Sequence, residues 1–513
     1  MDITFILGLL SLIQITFLPG FLVSKVLKIE GFIKTLVLSF GLSLIINHFL
    51  IFGLTALGIY KTYIIYFIFG IELLLIKLLG FDSYLKLSNL KFYQLNIIQE
   101  FKQNNSFSSI LRTIVYLGCL AVVALFLVYM ATNIGNIFHT GDDVVSWNKW
   151  AVQWSGNSFP AITWHYPQLL PANWSISYVF MKNSNIQFFA KFIMPLFSLF
   201  TLLLMLDLAF TTKKTGFFIA VIATGLIIES LCSKTTIQSG YVDLAVAFFA
   251  FSSIYCLIKA RFAEEKNKVI IYFILGSFFC IGASVTKQAG LYIEILYPLF
   301  AYLLVFRNSK LIGNSEKIKL LLVSFFFMFV LSSVWYVYKE IQIVNHIDDS
   351  EISYVTNAIH NGKTYFERFM TGIDLLKREF GDINIYFVFI FMFLSILTPL
   401  TRWLFLLIIM PFILIWAIFY SYDIRNVTLA LPFMGLCYGF GISFIIEKLK
   451  FIRFNEMFPL KNSFKTLRIS NVIVLFLTIT ILFTLNLILP GKYLLNIQAD
   501  KEIKFIGKTS IKR

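Results

Sequence analysis

Asp142 and Asp143 open the one long polar, aromatic-rich interruption in the first half of a chain that is otherwise mostly apolar. Adjacent carboxylates can hold a divalent cation or take a proton from an attacking hydroxyl. Trp147, Trp150, Ala151 and Trp154 follow at i, i+3, i+4 and i+7, so a helix here carries one apolar stripe. The acids then stand at its N-terminal end, where they could equally serve as helix caps. Such a helix suits the membrane interface, where tryptophan concentrates. Next come Trp164, His165 and Tyr166, then Pro167-Gln168-Leu169-Leu170-Pro171; His165 and Tyr166 are of the types that line a sugar or prenyl site. Asp243, Lys287 and Arg425 stand in short polar breaks between apolar runs, and a lone cation at the end of such a run can grip a phosphate or simply snorkel.

These residues must be positioned by membrane helices. The 513 residues are 58% hydrophobic, 18% aromatic and only 14% charged, with mean hydropathy +0.82. That composition excludes a soluble globule, in which about a quarter of residues are charged. At roughly 20 apolar residues per crossing, the chain reads as all-α and polytopic with about fourteen spans. They lie near residues 3–23, 34–57, 63–79, 110–131, 187–210, 216–231, 241–258, 269–285, 291–306, 320–338, 385–400, 403–420, 427–446 and 472–489. The organisation is a transmembrane core over 1–338 including a first outer loop at 132–186, a long outer loop at 339–383, further transmembrane helices over 384–489 and a basic tail at 490–513. The first span reads as a retained anchor with its N-terminus outside, because no basic residue precedes it and no small-residue cleavage site follows. Five scattered cysteines give no disulfide framework and no metal spacing.

The net charge of +16 is explained by topology rather than by nucleic acid. With the N-terminus outside, every alternate loop is basic, as at Lys25, Lys28 and Lys34, at Lys213 and Lys214, at Lys259 to Lys268 and at Arg307 to Lys319. The opposite short loops hold single cations, Lys61, Lys234, Lys287 and Arg425. The tail with Lys492, Lys501, Lys504, Lys508, Lys512 and Arg513 breaks this alternation. Asp142, Asp143, Asp243, Lys287 and Arg425 all fall on the outer face, which points to one site built from several loops. Tyr365 to Met370 and Ile373 to Glu379 alternate faces like a second interfacial helix, a lid or acceptor platform beside that site. His346, Asp348, Asp349 and Glu351 are either metal ligands or a solvated acidic loop.

Carboxylates beside lone cations and aromatic walls suit transfer of a group from a lipid phosphate to an acceptor hydroxyl. An Asp would take the hydroxyl proton as oxygen attacks the anomeric carbon, and cations would stabilise the departing phosphate. Asp142-Asp143, Trp147 and Trp150-Ala151, followed by Tyr166-Pro167-Gln168-Leu169-Leu170-Pro171, resemble the first outer loop of the GT-C superfamily of polytopic glycosyltransferases. The resemblance is to bacterial members related to the protein O-mannosyltransferases and the aminoarabinose transferase of lipid A. Gly240-Tyr241-Val242-Asp243-Leu244 resembles a second segment, Thr286-Lys287-Gln288-Ala289-Gly290 the Lys-containing outer turn, and Arg425 with Leu431-Pro432 a late segment in which Asn426 replaces Tyr. No second carboxylate is placed as a nucleophile, which points to a single displacement with inversion. The resemblance implies a GT-C-like fold, a bacterial plasma-membrane setting and a transferase with a polyprenyl-phosphate sugar donor. Its acceptor would be a glycan, lipid or protein. It implies Asp142 and Asp143 as base or as ligands of a divalent metal (Mg or Mn), and Lys287 and Arg425 as phosphate ligands. Trp147, His165, Tyr166 and Asp243 would line the substrate. Gln288, where relatives often carry an acid, counts against metal use. The rival is a transporter or flippase for a lipid-linked glycan, for which an internal repeat and mid-membrane ionisable groups would be expected. A glycan polymerase or ligase would be expected to lead with outer arginines and a histidine.

Overall fold

The computed structural model describes residues 3–79, 107–163, 165–345, 363–381, 384–421 and 423–451. Among them every regular element is helical. Eleven helices are long and apolar enough to cross a membrane. They are α1 (Ile3–Val26), α2 (Phe32–Ala56), α3 (Thr62–Leu79) and α4 (Thr113–Thr132). After a polar connection come α7 (Phe188–Thr212), α8 (Thr215–Gln238), α9 (Asp243–Arg261) and α10 (Lys266–Ser284), then α12 (Asn314–Val344), α15 (Arg402–Tyr420) and α16 (Ile424–Lys448). Two short helices, α5 (Lys149–Ser155) and α6 (Leu169–Met181), lie between α4 and α7.

Three of the fourteen expected spans differ from this set. The one near 291–306 is α11 (Gly290–Phe306), an apolar helix shorter than the rest, which carries Pro298 inside it and ends in a π-helical turn over Tyr302–Phe306. The one near 385–400 is α14 (Asn384–Leu397), which passes the length test only together with α13 (Tyr365–Phe380), to which it is sharply bent. The span at 472–489, the basic tail and the His346 to Glu351 cluster lie outside the described residues.

The core runs through α7, α8, α9 and α16, which are buried on most of their faces, with α10 packed against them and buried over a smaller share; α9 buries every residue from Asp243 to Ile258. Helices α3, α4 and α12 are peripheral and leave wide apolar faces exposed, such as Leu322, Phe326 and Phe329 on α12. Those faces are what a lipid-facing helix presents. The contact of α8 with α16 is set by small residues: a Cβ on Gly439 would stand 2.5 Å from the Gly216 carbonyl oxygen and from the Ala220 nitrogen. Gly435 meets Thr224 one turn away in the same manner. This is the small-xxx-small packing by which membrane helices approach backbone to backbone.

α13 is amphipathic and starts at a capping box, in which Thr364 Oγ1 accepts from Glu367 N and Glu367 Oε2 accepts from Thr364 N. It buries Gly372, Leu376 and Phe380 and leaves Tyr365 and Phe366 exposed. Gly372 lies against Ala417 and Ser421, so the helix rests on the last turn of α15.

Candidate functional site

The C-terminal ends of α4, α8, α10 and α15 and the N-terminal ends of α9, α11 and α16 meet at one end of the bundle. The chain between α4 and α6 is laid over them. Its first element is a π-helical turn, Asp143–Asn148, which passes directly into α5. A π-turn shifts side-chain register and is common where side chains are aimed at a site.

The tryptophan stripe faces protein rather than the membrane interface. Trp147, Trp150 and Trp154 are 7%, 3% and 0% exposed. Beneath them lies α6, buried along its whole length. Trp154 packs on Phe159 at 5.1 Å and on Trp335 of α12 at 6.2 Å. The stripe is therefore the seam that fastens the loop to the bundle. Tyr166 closes the other side of that seam, 5.4 Å from Trp147 and 6.3 Å from Trp150 between ring centroids. The backbone of Leu169 donates to Val285 O at 3.0 Å, tying the Pro167-to-Pro171 segment to the turn that carries Lys287.

The two adjacent acids have opposite environments. Asp142 has a side chain 57% exposed and meets Arg425 Nη2 at 3.3 Å. Asp143 is fully buried; its Oδ2 accepts from Gly240 N at 3.1 Å, while Oδ1 has no hydrogen-bond partner. Gly240 is required for that approach, because a Cβ there would lie 2.6 Å from Asp143 Cβ and 2.8 Å from the Phe138 ring. Capping explains none of the acids in the expected set: Asp142 makes no side-chain cap bond, Asp143 is committed to Gly240, and Asp243 is committed to Lys287.

The cations are ordered by carboxylates. Lys287 Nζ donates to Asp243 Oδ1 at 2.5 Å and to Asn426 Oδ1 at 3.0 Å. Burial presses this ammonium towards its neutral form, but the Asp243 carboxylate outweighs it and holds Lys287 above the ordinary lysine value; Tyr166 lies close enough to add to that. Arg425 is gripped by Asp423: Nε donates to Oδ2 at 2.8 Å, Nη2 to Oδ2 at 2.5 Å and the backbone N to Oδ1 at 2.9 Å. Its guanidinium lies over the Tyr241 ring at 3.9 Å, a cation–π contact that fixes the plane of the fork. Burial raises the Asp423 carboxyl, but its bonds to Arg425 overcome this and leave it below the usual aspartate range.

Four segments far apart in sequence thus form one cluster: Asp142-Asp143, Gly240 to Asp243, Lys287, and Asp423 to Asn426. His165 turns elsewhere. It sits in a left-handed conformation with φ 59° and places Nε2 3.0 Å from Glu340 Oε2 of α12. Asp423, Tyr241 and Asn426 are members that the sequence reading did not assign to the site. The spacing Asp423-x-Arg425, two opposite charges on a short polar break, was the available signal.

Asp142 and Asp143 do not fit as a shared pair of metal ligands, since one reaches Arg425 and the other Gly240. Among the described residues no three His, Cys, Asp or Glu side chains gather as a cation's ligands. Chemically, the cluster offers one accessible carboxylate beside two oriented cations. No protein-family profile, curated protein or solved structure matches this chain.

Proposed function

We propose that the chain is a membrane glycosyltransferase that moves a sugar from a polyprenyl-phosphate donor to an acceptor hydroxyl at the outer face of a bacterial plasma membrane. The observation that carries this reading is the accessible Asp142 carboxylate held 3.3 Å from an Arg425 that Asp423 and Tyr241 already orient. The donor phosphate takes the free edge of Arg425 and approaches Lys287. The Asp142–Arg425 contact is the longest of Arg425's carboxylate bonds, so it is the one that yields. Asp142 is then free beside the acceptor.

The acceptor oxygen attacks the anomeric carbon as the bond from that carbon to the phosphate oxygen breaks. The hydroxyl proton passes to Asp142, and the leaving phosphate keeps the electron pair. Its charge is met by Arg425 and Lys287, in an arrangement fixed before reaction. A single displacement inverts the anomeric configuration. Asp143 holds the loop through Gly240 and does not touch substrate. Trp147 and Tyr166 wall the site, and Asp243 holds Lys287 charged.

The test is sugar transfer from radiolabelled polyprenyl-phosphate sugars in membranes carrying the wild type or Asp142→Asn, with and without chelator. Loss of transfer at normal protein level supports Asp142 as base, and chelator sensitivity would show a metal at work there. Undiminished transfer by the variant overturns the assignment. A transporter for a lipid-linked glycan is the second reading, because Glu72 and Glu294 are buried carboxyls inside apolar helices and the acids are thus not confined to one end. Donor consumption by the wild type decides for transfer, and flipping of a lipid-linked glycan without consumption decides for transport.

A further inference from the structure

Away from the candidate site, α3 leans on the bundle along one narrow seam. It buries Ile65, Glu72 and Ile76 and exposes most of its remaining residues. Ile65 and Ile76 are apolar, as a seam in lipid requires. Glu72 is not, and it sits in the middle of the helix, 7% exposed.

The neighbours of Glu72 are neutral amides. Gln14 of α1 donates from Nε2 to Glu72 Oε1 at 3.5 Å and to Asn47 Oδ1 of α2 at 2.9 Å. Asn47 Nδ2 reaches back to the Ile15 carbonyl at 3.5 Å. The cations carried by α1, α2 and α3, namely Lys25, Lys34 and Lys77, all stand at the opposite ends of these helices from the candidate site. There Lys25 Nζ donates to Leu79 O at 2.9 Å. Towards α6, the contacts of α3 are neutral: Tyr66 donates to Phe180 O and Thr62 to Val179 O. Among the described residues Glu72 forms no ion pair.

Two atoms of this cluster are buried without a partner, Glu72 Oε2 and Gln14 Oε1. Both are acceptors if Glu72 is ionised, so each would be a desolvated oxygen with no donor, one of them carrying charge. A buried unpaired charge inside an apolar bundle is strongly destabilising. A proton on Oε2 removes both defects together. A carboxylic acid and a primary amide pair through two parallel bonds, N–H to the acid carbonyl and O–H to the amide oxygen. Gln14 already supplies the first of these with one hydrogen and uses its other on Asn47, leaving Oε1 open for the second.

We infer that Glu72 is a proton-binding site within the membrane-spanning bundle. It holds its proton at neutral pH and donates through Oε2 to Gln14 Oε1, and this neutral pair docks α3 onto α1 and α2. The inference stands apart from the transferase reading, since it uses none of the residues of that site.

The experiment is infrared difference spectroscopy of the full-length protein in lipid bilayers at neutral pH, wild type minus Glu72→Gln. The expected difference is the carbonyl stretch of one protonated carboxyl, shifting in deuterated water. A carboxylate band in its place overturns the proposal. Thermal unfolding gives an independent check. Glu72→Gln, an isostere of the neutral acid, should melt with the wild type, whereas Glu72→Ala and Gln14→Leu should melt earlier. If Glu72→Gln is as destabilising as Glu72→Ala, the charge was needed and the proposal fails.

Discussion

Asp142 and Asp143 are neighbours in sequence with different fates, and the difference lies in what each oxygen touches. Asp143→Asn keeps the size of the side chain but replaces a buried carboxylate facing Gly240 N. It should lower the amount of folded protein and leave the activity per folded molecule within a few-fold of wild type, as read by quantified transfer. Asp142→Asn should do the reverse, with normal protein level and a fall in transfer of at least about a hundred-fold, the usual scale for a lost general base. The Lys287–Asp243 pair offers a different test. Removing only Asp243 leaves a buried ammonium with the Asn426 amide as its remaining partner at 3.0 Å, and breaking a buried pair costs about 3–5 kcal/mol. Asp243→Asn should therefore lose folded protein, and adding Lys287→Met should restore much of it without restoring transfer. Additive losses in the double variant would show that the pair is not coupled. The pH dependence follows from the two shifts. Lys287 is raised, so its contribution is complete below the ordinary lysine value and is lost only as pH rises through the higher folded value. Asp423 is lowered, so its contribution is complete above the ordinary aspartate value and is lost as pH falls through the lower folded one. Both pairs stay intact between about pH 5 and 9. Any change of transfer rate with pH inside that window, followed in wild type and in Asp423→Asn, must then come from other groups or from substrate.

At the scale of elements, the sequence told most where one periodicity governs the fold. The apolar runs became helices, and the alternation after Thr364 became α13 with its capping box. The spacing of the tryptophan stripe gives its face but not its neighbour, which is protein rather than the membrane interface. Its i, i+3, i+4, i+7 pattern marks a face, and only α6 and Trp335 show that protein covers it. The π-turn at Asp143–Asn148 left no periodic trace. Nor could local pattern reveal that Arg425 meets Asp142, a contact 283 residues apart along the chain. The segments of the resemblance contain Gly240 and Tyr241 beside Asp243, and Asp423 stands two residues from Arg425, but the orienting roles of these three are visible only in the packing. The α8–α16 seam gives the element-scale prediction. Arg425 stands in the first turn of α16, so anything that pushes α16 off α8 moves the guanidinium. Gly439→Leu would drive a side chain into the Gly216 and Ala220 backbone, a steric cost of about 1–3 kcal/mol or more. Thermal unfolding in detergent should fall by several degrees and transfer should drop with it. Unchanged melting would mean that the helices do not meet there.

For the whole molecule, the decisive quantity is sidedness. The cluster collects the ends of α4, α8, α9, α10, α11, α15 and α16 that lie together, and the opposite ends carry Lys25, Lys34, Lys213, Lys214, Lys259, Arg261, Lys266 and Arg307. By the positive-inside rule a basic end is the one expected at the cytoplasm; the proposed outer site, and with it a lipid-linked donor rather than a soluble nucleotide sugar, rests on that rule. The argument can fail independently of any chemistry. The five native cysteines are all buried, so single exposed cysteines can be read against a quiet background. Ser158 and Asn185 are exposed at the site end, and Lys213 and Lys310 at the basic end. In intact cells a membrane-impermeant maleimide should label Ser158→Cys and Asn185→Cys, and should label Lys213→Cys and Lys310→Cys only after permeabilisation. The reverse pattern would turn the site to the cytoplasm, where soluble nucleotide donors are present, and the polyprenyl-phosphate donor would lose its main physical support while the ion-pair geometry stayed as it is.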